Sequence, residues 1–120
     1  MNDRSRAQFD FSAFKRAFVA QDISAWSEFF DENAEWIEYR HTHPPRAPHR
    51  MAGRKQIADF LSRVKASNVL LAIEDEVIGS SRAAFRVWCT LADGRRIVEH
   101  VIIEFSEGKI TRQVDVEAWD

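Results

Sequence analysis

Two periodicities divide the chain. Up to residue 66 the apolar positions recur at three- and four-residue spacing, and from residue 69 onward they alternate with polar ones. Phe11, Phe14 and Phe18 fall on one face of a first helix, with Ser12 near its start. Asp22 stands where a carboxylate can accept an amide one turn ahead, which predicts a second helix. That helix carries Trp26, Phe29 and Phe30 as its buried stripe and ends at the segment DENA. The aromatic-rich AEWIEYR (34–40) predicts a strand. The Pro/His/Arg stretch after it suits neither a helix nor a central strand. Gly53 opens a third helix, with Ile57, Phe60, Leu61 and Val64 on one face.

Four strand-like runs follow: VLLAIEDEVIG, AAFRVWCTLADG, RRIVEHVIIEFSEG and KITRQVDVEAW. Asp93-Gly94 and Glu107-Gly108 separate successive runs, each with the glycine that a tight hairpin turn requires. Helices followed by an antiparallel meander make an α+β domain. Residues 1–8 read as a disordered tail and 9–120 as a single domain, with neither repeat nor linker.

Alternation also assigns sides. Phe85, Val87, Cys89 and Leu91 share one face of their strand, and Arg86, Trp88 and Thr90 the other. In the next strand Ile97, Glu99, Val101, Ile103 and Phe105 share a face, yet Val98, His100 and Ile102 make the opposite face largely apolar as well. An antiparallel sheet normally keeps one face wet. Three helices can cover only one face of this sheet, so the other predicts a homodimer through Trp88, Val98, His100 and Ile102.

Composition narrows the function classes. At 120 residues, 45% apolar and 30% charged, this is an ordinary globular domain. Nine Phe and four Trp must fill a thick core or line a cavity. A net charge of −2 and the absence of a basic stripe argue against nucleic acid. No run approaches the roughly 20 apolar residues of a membrane span, and MNDRSRAQ lacks the apolar centre of a signal peptide. A lone cysteine, Cys89, suits a reducing compartment, so a cytoplasmic location is expected.

The segments QDISAWSEFFDENAEW, GRKQI and EGKI…AWD, in this order, resemble the SnoaL-like branch of the nuclear transport factor 2-like superfamily over residues 9 to 120. That superfamily includes ketosteroid isomerases, polyketide cyclases, scytalone dehydratase and limonene epoxide hydrolase. The resemblance implies a cone-shaped, cystatin-like fold, with three helices packed in a strongly curved, mostly antiparallel sheet around an internal pocket. It also implies a small hydrophobic, often cyclic, ligand and no metal or organic cofactor. On that cone Phe14, Phe18, Trp26, Trp36, Phe60, Phe85, Val87, Glu99, Val101 and Trp119 become expected ligand-binding positions.

The resemblance to ketosteroid isomerase places Glu38 where the proton-abstracting carboxylate stands; burial beside Trp36 could raise its pKa towards working pH. The hydrogen-bond donors that stabilise the isomerase's oxyanion are replaced here by Phe14 and Val101, which cannot donate. Steroid isomerisation by the familiar route is therefore not expected. Asp115 and Glu117 in the last strand are the further catalytic candidates. Hydrophobicity alone turns Val114, Val116 and Ala118 inward, whereas cyclases and epoxide hydrolases of this fold use acids from this strand, which tips the choice towards Asp115 facing in. Glu99, an acid on a buried face, needs a partner, with Arg86 and Arg112 as candidates for a structural ion pair.

His41, His43 and His49 invite a metal reading, but the stretch has no cysteine and Arg40, Arg46 and Arg50 would repel a dication. It reads better as a Pro-stiffened rim of the pocket. Cys89 reads as a small packed hydrophobe and His100 as an interface residue. Two functions stay open: an isomerase, cyclase or hydratase acting on a hydrophobic cyclic substrate by acid–base chemistry, or a non-catalytic ligand-binding or association module.

Overall fold

The computed structural model describes residues 8–120. The expected tail therefore lies, but for its last residue, outside the described residues. Three helices, α1 (Phe11–Ala20), α2 (Ile23–Glu28) and α3 (Arg54–Ala66), pack in the hollow of a six-stranded sheet. Its strands are β1 (Phe30–Tyr39), β2 (His49–Ala52), β3 (Leu70–Ile78), β4 (Arg82–Thr90), β5 (Arg96–Ser106) and β6 (Lys109–Trp119), in spatial order β2-β1-β6-β5-β4-β3. The sheet is curved and unclosed, and it is the cone-shaped α+β fold that the sequence led us to expect. No helix among the described residues is long and apolar enough to cross a membrane.

Local chemistry explains most element boundaries. Asp10, rather than Ser12, caps α1: its Oδ1 accepts from the Ala13 amide at 3.0 Å. Asp22 caps α2 through the Ala25 amide at 3.2 Å. Gly53 precedes α3 with φ +89, and a Cβ there would meet the Glu32 carbonyl oxygen at 3.4 Å, so both conformation and space favour glycine. The turns at Asp93-Gly94 and Glu107-Gly108 join β4 to β5 and β5 to β6, with Gly94 and Gly108 both at positive φ.

One expectation needs correction, and two pairings add to the sequence reading. Phe30 does not belong to α2; it begins β1, which runs straight through DENA. The polar segment is accommodated by a bulge, since the register against β6 shifts between Phe30 and Glu35. The end of the Pro/His/Arg stretch, which suits neither a helix nor a central strand, forms the edge strand β2, antiparallel to β1 with His49 opposite Glu38. The sheet is mostly antiparallel, as expected, and its one parallel pair, β1 with β6, sets Glu38 beside Asp115. No local sequence signal announces that pairing.

The interior has two ends. At one, Phe9, Phe11, Phe14, Phe29, Phe85 and Phe105 pack ring on ring; Phe9 and Phe105 stack at 4.5 Å between centroids. Phe14, fully buried, touches five other phenyl rings. Further along the same strands, near Cys89, Ile97 and Trp119, the filling stops and a cavity opens. On the outer face, Trp88 donates to Glu74 and lies under the Arg96 guanidinium, while Ile102 and Val116 are about half exposed.

Candidate active-site cavity

A row of paired residues crosses the sheet: His49 on β2, Glu38 on β1, Asp115 on β6, Val101 on β5 and Phe85 on β4. The neighbouring inward positions pair Glu99 with Glu117. Every second residue of β6 from Gln113 to Trp119 points inward, and Val114, Val116 and Ala118 face out. Of the two opposed arguments about this strand, the one that turned Asp115 inward describes the fold. Four carboxyl groups therefore converge on one region from three strands.

The cavity measures about 240 Å³. Its wall is mostly apolar and aromatic, with Phe18, Trp26, Trp36, Phe60 and Trp119 prominent, and Glu38, Glu99, Glu117, Arg40 and Gln113 as polar members. Of the ten ligand-binding positions expected, Phe14, Phe85, Val87 and Val101 are not in the wall. They lie at the filled end, where other rings and side chains already occupy the space they would have lined. Asp115 is also absent from the wall. It is fully buried behind Glu38, so it supports the site without facing the void.

Hydrogen bonds fix these acids. Trp36 Nε1 donates to Asp115 Oδ2 at 2.9 Å, and Gln113 Nε2 donates to Asp115 Oδ1 at 3.1 Å. Trp119 Nε1 donates to Glu117 Oε1 at 2.9 Å. His49 Nδ1 lies 3.2 Å from Glu38 Oε1, which connects the acid to a partly exposed imidazole on the edge strand. Glu38 itself is 4% exposed.

Burial and mutual repulsion set the protonation. Loss of hydration, reinforced by Glu117, pushes the Glu38 pKa up to about 8. Burial, followed by the charges of Glu99 and Glu38, holds Asp115 well above the carboxylate range. Glu99 is raised in the same way, by burial and then by Glu117 and Glu38. The expected ion pair for Glu99 does not form: Arg86 lies on the outer face against Asp75, and Arg112 binds Glu104. The group is kept neutral instead. His49 is lowered, chiefly by burial and then by His43, Arg40 and Arg63. Burial also pushes the Cys89 thiol up to about 12, which leaves it a packed thiol and not a nucleophile.

The histidines do not gather around a metal. His43 and His49 stack at 5.4 Å, but His41 turns away to the edge of Trp119. Among the described residues, the one grouping with ligand atoms in mutual reach is Glu38, Asp115 and Glu117, within 4.8 Å. Both Asp115 oxygens already accept from Trp36 and Gln113, and Arg40 adds positive charge close by. That donor set suits carboxyl groups sharing protons better than a bare dication.

Several site residues escaped the sequence reading. Arg40 continues the period-two series of Trp36 and Glu38, and Arg63 follows Phe60 at helical spacing, so both signals were present. Gln113 likewise continues the period-two series of Asp115, Glu117 and Trp119, whereas His49 depended on a pairing visible only in the folded sheet.

Residues 11–113 match the family model of the SnoaL-like domain. Solved structures with similar folds include an NTF2-like protein of unknown function from Mesorhizobium loti, 19% identical at TM-score 0.79, covering 90% of this chain and 87% of that one. A proposed ketosteroid isomerase from Kribbella flavida is 19% identical at TM-score 0.75, with 92% of this chain and 74% of that one covered. A proposed isomerase from Bacillus subtilis is 22% identical at TM-score 0.70, with coverage of 90% and 83%. Among curated proteins, none matches the sequence.

Proposed function

The chain belongs to the SnoaL-like domain family, and from that premise we propose that its cavity is the active site of an acid–base enzyme acting on a small hydrophobic cyclic substrate. One observation carries the reading: a nearly buried carboxyl, Glu38, in the wall of an aromatic cavity with a pKa of about 8. Such a group exchanges a proton near neutral pH, as an acid below about 8 and a base above it. Isomerisation, cyclisation and hydration all need that exchange.

Glu38 would touch the substrate. Asp115, clamped by Trp36 and Gln113, positions Glu38 from behind, and Glu117 offers a second acid on the cavity side. His49 gives Glu38 a path for its proton towards solvent. The apolar wall excludes competing water, so small displacements of charge are felt strongly.

A binding role without catalysis is the second reading. It is favoured by one feature: Phe14 and Val101, at the positions of the isomerase's oxyanion donors, supply none. One experiment separates the two. Cyclic ketones incubated with the protein in heavy water should gain deuterium next to the carbonyl, and Glu38→Gln should slow this by about 100-fold or more. Ketones that bind yet never exchange would leave only the binding role.

We also propose that two copies pair through the outer face of the sheet. With Trp88 already held by Glu74 and Arg96, Ile102 and Val116 form the exposed apolar centre of that face. Sedimentation of the wild type should report a dimer at micromolar concentration, and Ile102→Asp a monomer. A monomeric wild type would refute the pairing.

A further inference from the structure

Acids line the cavity, but two cations line it as well. Arg40 follows β1 directly, and Arg63 lies one helical turn beyond Phe60 on α3. Each guanidinium lies over an aromatic ring of the wall: Arg40 is 4.9 Å from the Trp119 ring centroid and Arg63 is 5.8 Å from that of Phe60. Among the described residues neither is paired with a carboxylate, whereas Arg50, Arg54, Arg86, Arg95 and Arg112 all are. Glu117 shares the cavity, yet its Oε1 accepts from Trp119 and not from an arginine.

Arg40 also leaves its Nε–H buried with no acceptor. An unpaired buried donor costs about 1–3 kcal/mol, and more when it belongs to a charged group. A guanidinium resting on a ring still presents N–H donors at its edge, arranged to match the two oxygens of a planar anion. Arg40 and Arg63 act on the same imidazole, that of His49, so their fields overlap on one side of the cavity.

We propose that the cavity takes an anionic hydrophobic ligand, with its cyclic body in the apolar depth and a carboxylate held by Arg40 and Arg63. This rests on the cavity being a ligand site, and it adds the chemical class of the ligand. A monoanion fits better than a phosphate dianion, because the wall is mostly apolar and a second charge would lose its hydration there with no further cation to meet it. The arrangement divides the labour: arginines hold the charge while neutral carboxyl groups face the part of the ligand that reacts.

The test uses two probes with the same ring system, 1-naphthoate and its neutral isostere 1-naphthamide, titrated calorimetrically into the full chain at pH 7 and low salt. The carboxylate should bind about tenfold more tightly, the equivalent of roughly 1.4 kcal/mol. Arg40→Met and Arg63→Met should each cut that preference, measured as the ratio of the two affinities in the same variant, to about threefold or less. Arg63 is solvent-exposed, so its replacement does not endanger the fold. Equal affinities in the wild type, or a preference that survives both substitutions, overturn the anion site and leave the cavity's ligand role standing. If neither probe binds at millimolar concentration, both readings fall.

Discussion

The two ends of the interior are built on the same strands and serve opposite purposes. At the end lined by Phe85, Val101 and Ile103, aromatic rings fill the space. Towards Cys89, Ile97 and Trp119 the same sheet holds a cavity with four carboxyl groups in or just behind its wall. The filled end stabilises the cone through burial and ring contacts. The open end lowers stability, because each buried acid must be kept neutral or lose hydration. Such a concession belongs where a site has to work.

The largest effect expected from breaking this division is electrostatic. Glu38 ionises near 4.5 when unfolded and near 8 when folded, so folding takes up a proton between those values. Stability should therefore be highest below pH 4.5 as far as this group is concerned, fall steadily to about pH 8, and flatten above it. The gap corresponds to as much as ~5 kcal/mol at 1.36 kcal/mol per unit. Urea denaturation of Glu38→Gln across that range should show a weakened pH slope and a more stable protein at pH 8. An unchanged slope would contradict the burial of Glu38 as a shifted acid.

Next in size is the filled end. Phe14→Ala removes a fully buried ring from contact with five others and should cost about 3–5 kcal/mol. Phe60→Ala, in the cavity wall and partly exposed, should cost less than half as much in the same urea titration. Equal losses would mean that the two ends are packed alike. Smallest is the link behind the site: Trp36→Phe keeps an aromatic ring but removes the donor to Asp115, for about 1–2 kcal/mol from the lost hydrogen bond. The pH at which its stability levels off should rise, since Asp115 would lose a group that favours its charged form.

The last strand shows why the fold was more legible than the site. KITRQVDVEAW announces a strand by alternation alone, and the turn before it by Glu107-Gly108. Its sidedness was ambiguous, because the apolar Val114, Val116 and Ala118 face outward and the acids face in. Hydrophobic pattern predicts burial only while burial is what the strand is selected for. The β2 segment failed for a different reason: HRMA is four residues long with one buried position, Met51, too little for any period to register. DENA read as a break because a bulge lets polar residues stay within β1.

The sequence by itself determined the helix that carries Phe11, Phe14 and Phe18, the helices that begin at Asp22 and Gly53, the four strands of the meander, the two glycine turns and the acid types available for chemistry. These depend on caps, period and backbone conformation, all local to the chain. Tertiary structure alone decided that β1 runs parallel to β6, and through that pairing that Glu38 meets Asp115. It decided that Glu99 pairs with neither Arg86 nor Arg112, that His49 reaches Glu38, and that Arg40 and Arg63 line one cavity. Each of those facts joins residues far apart in the chain, and burial then sets their protonation; neither distance nor dielectric is written in any single stretch of residues.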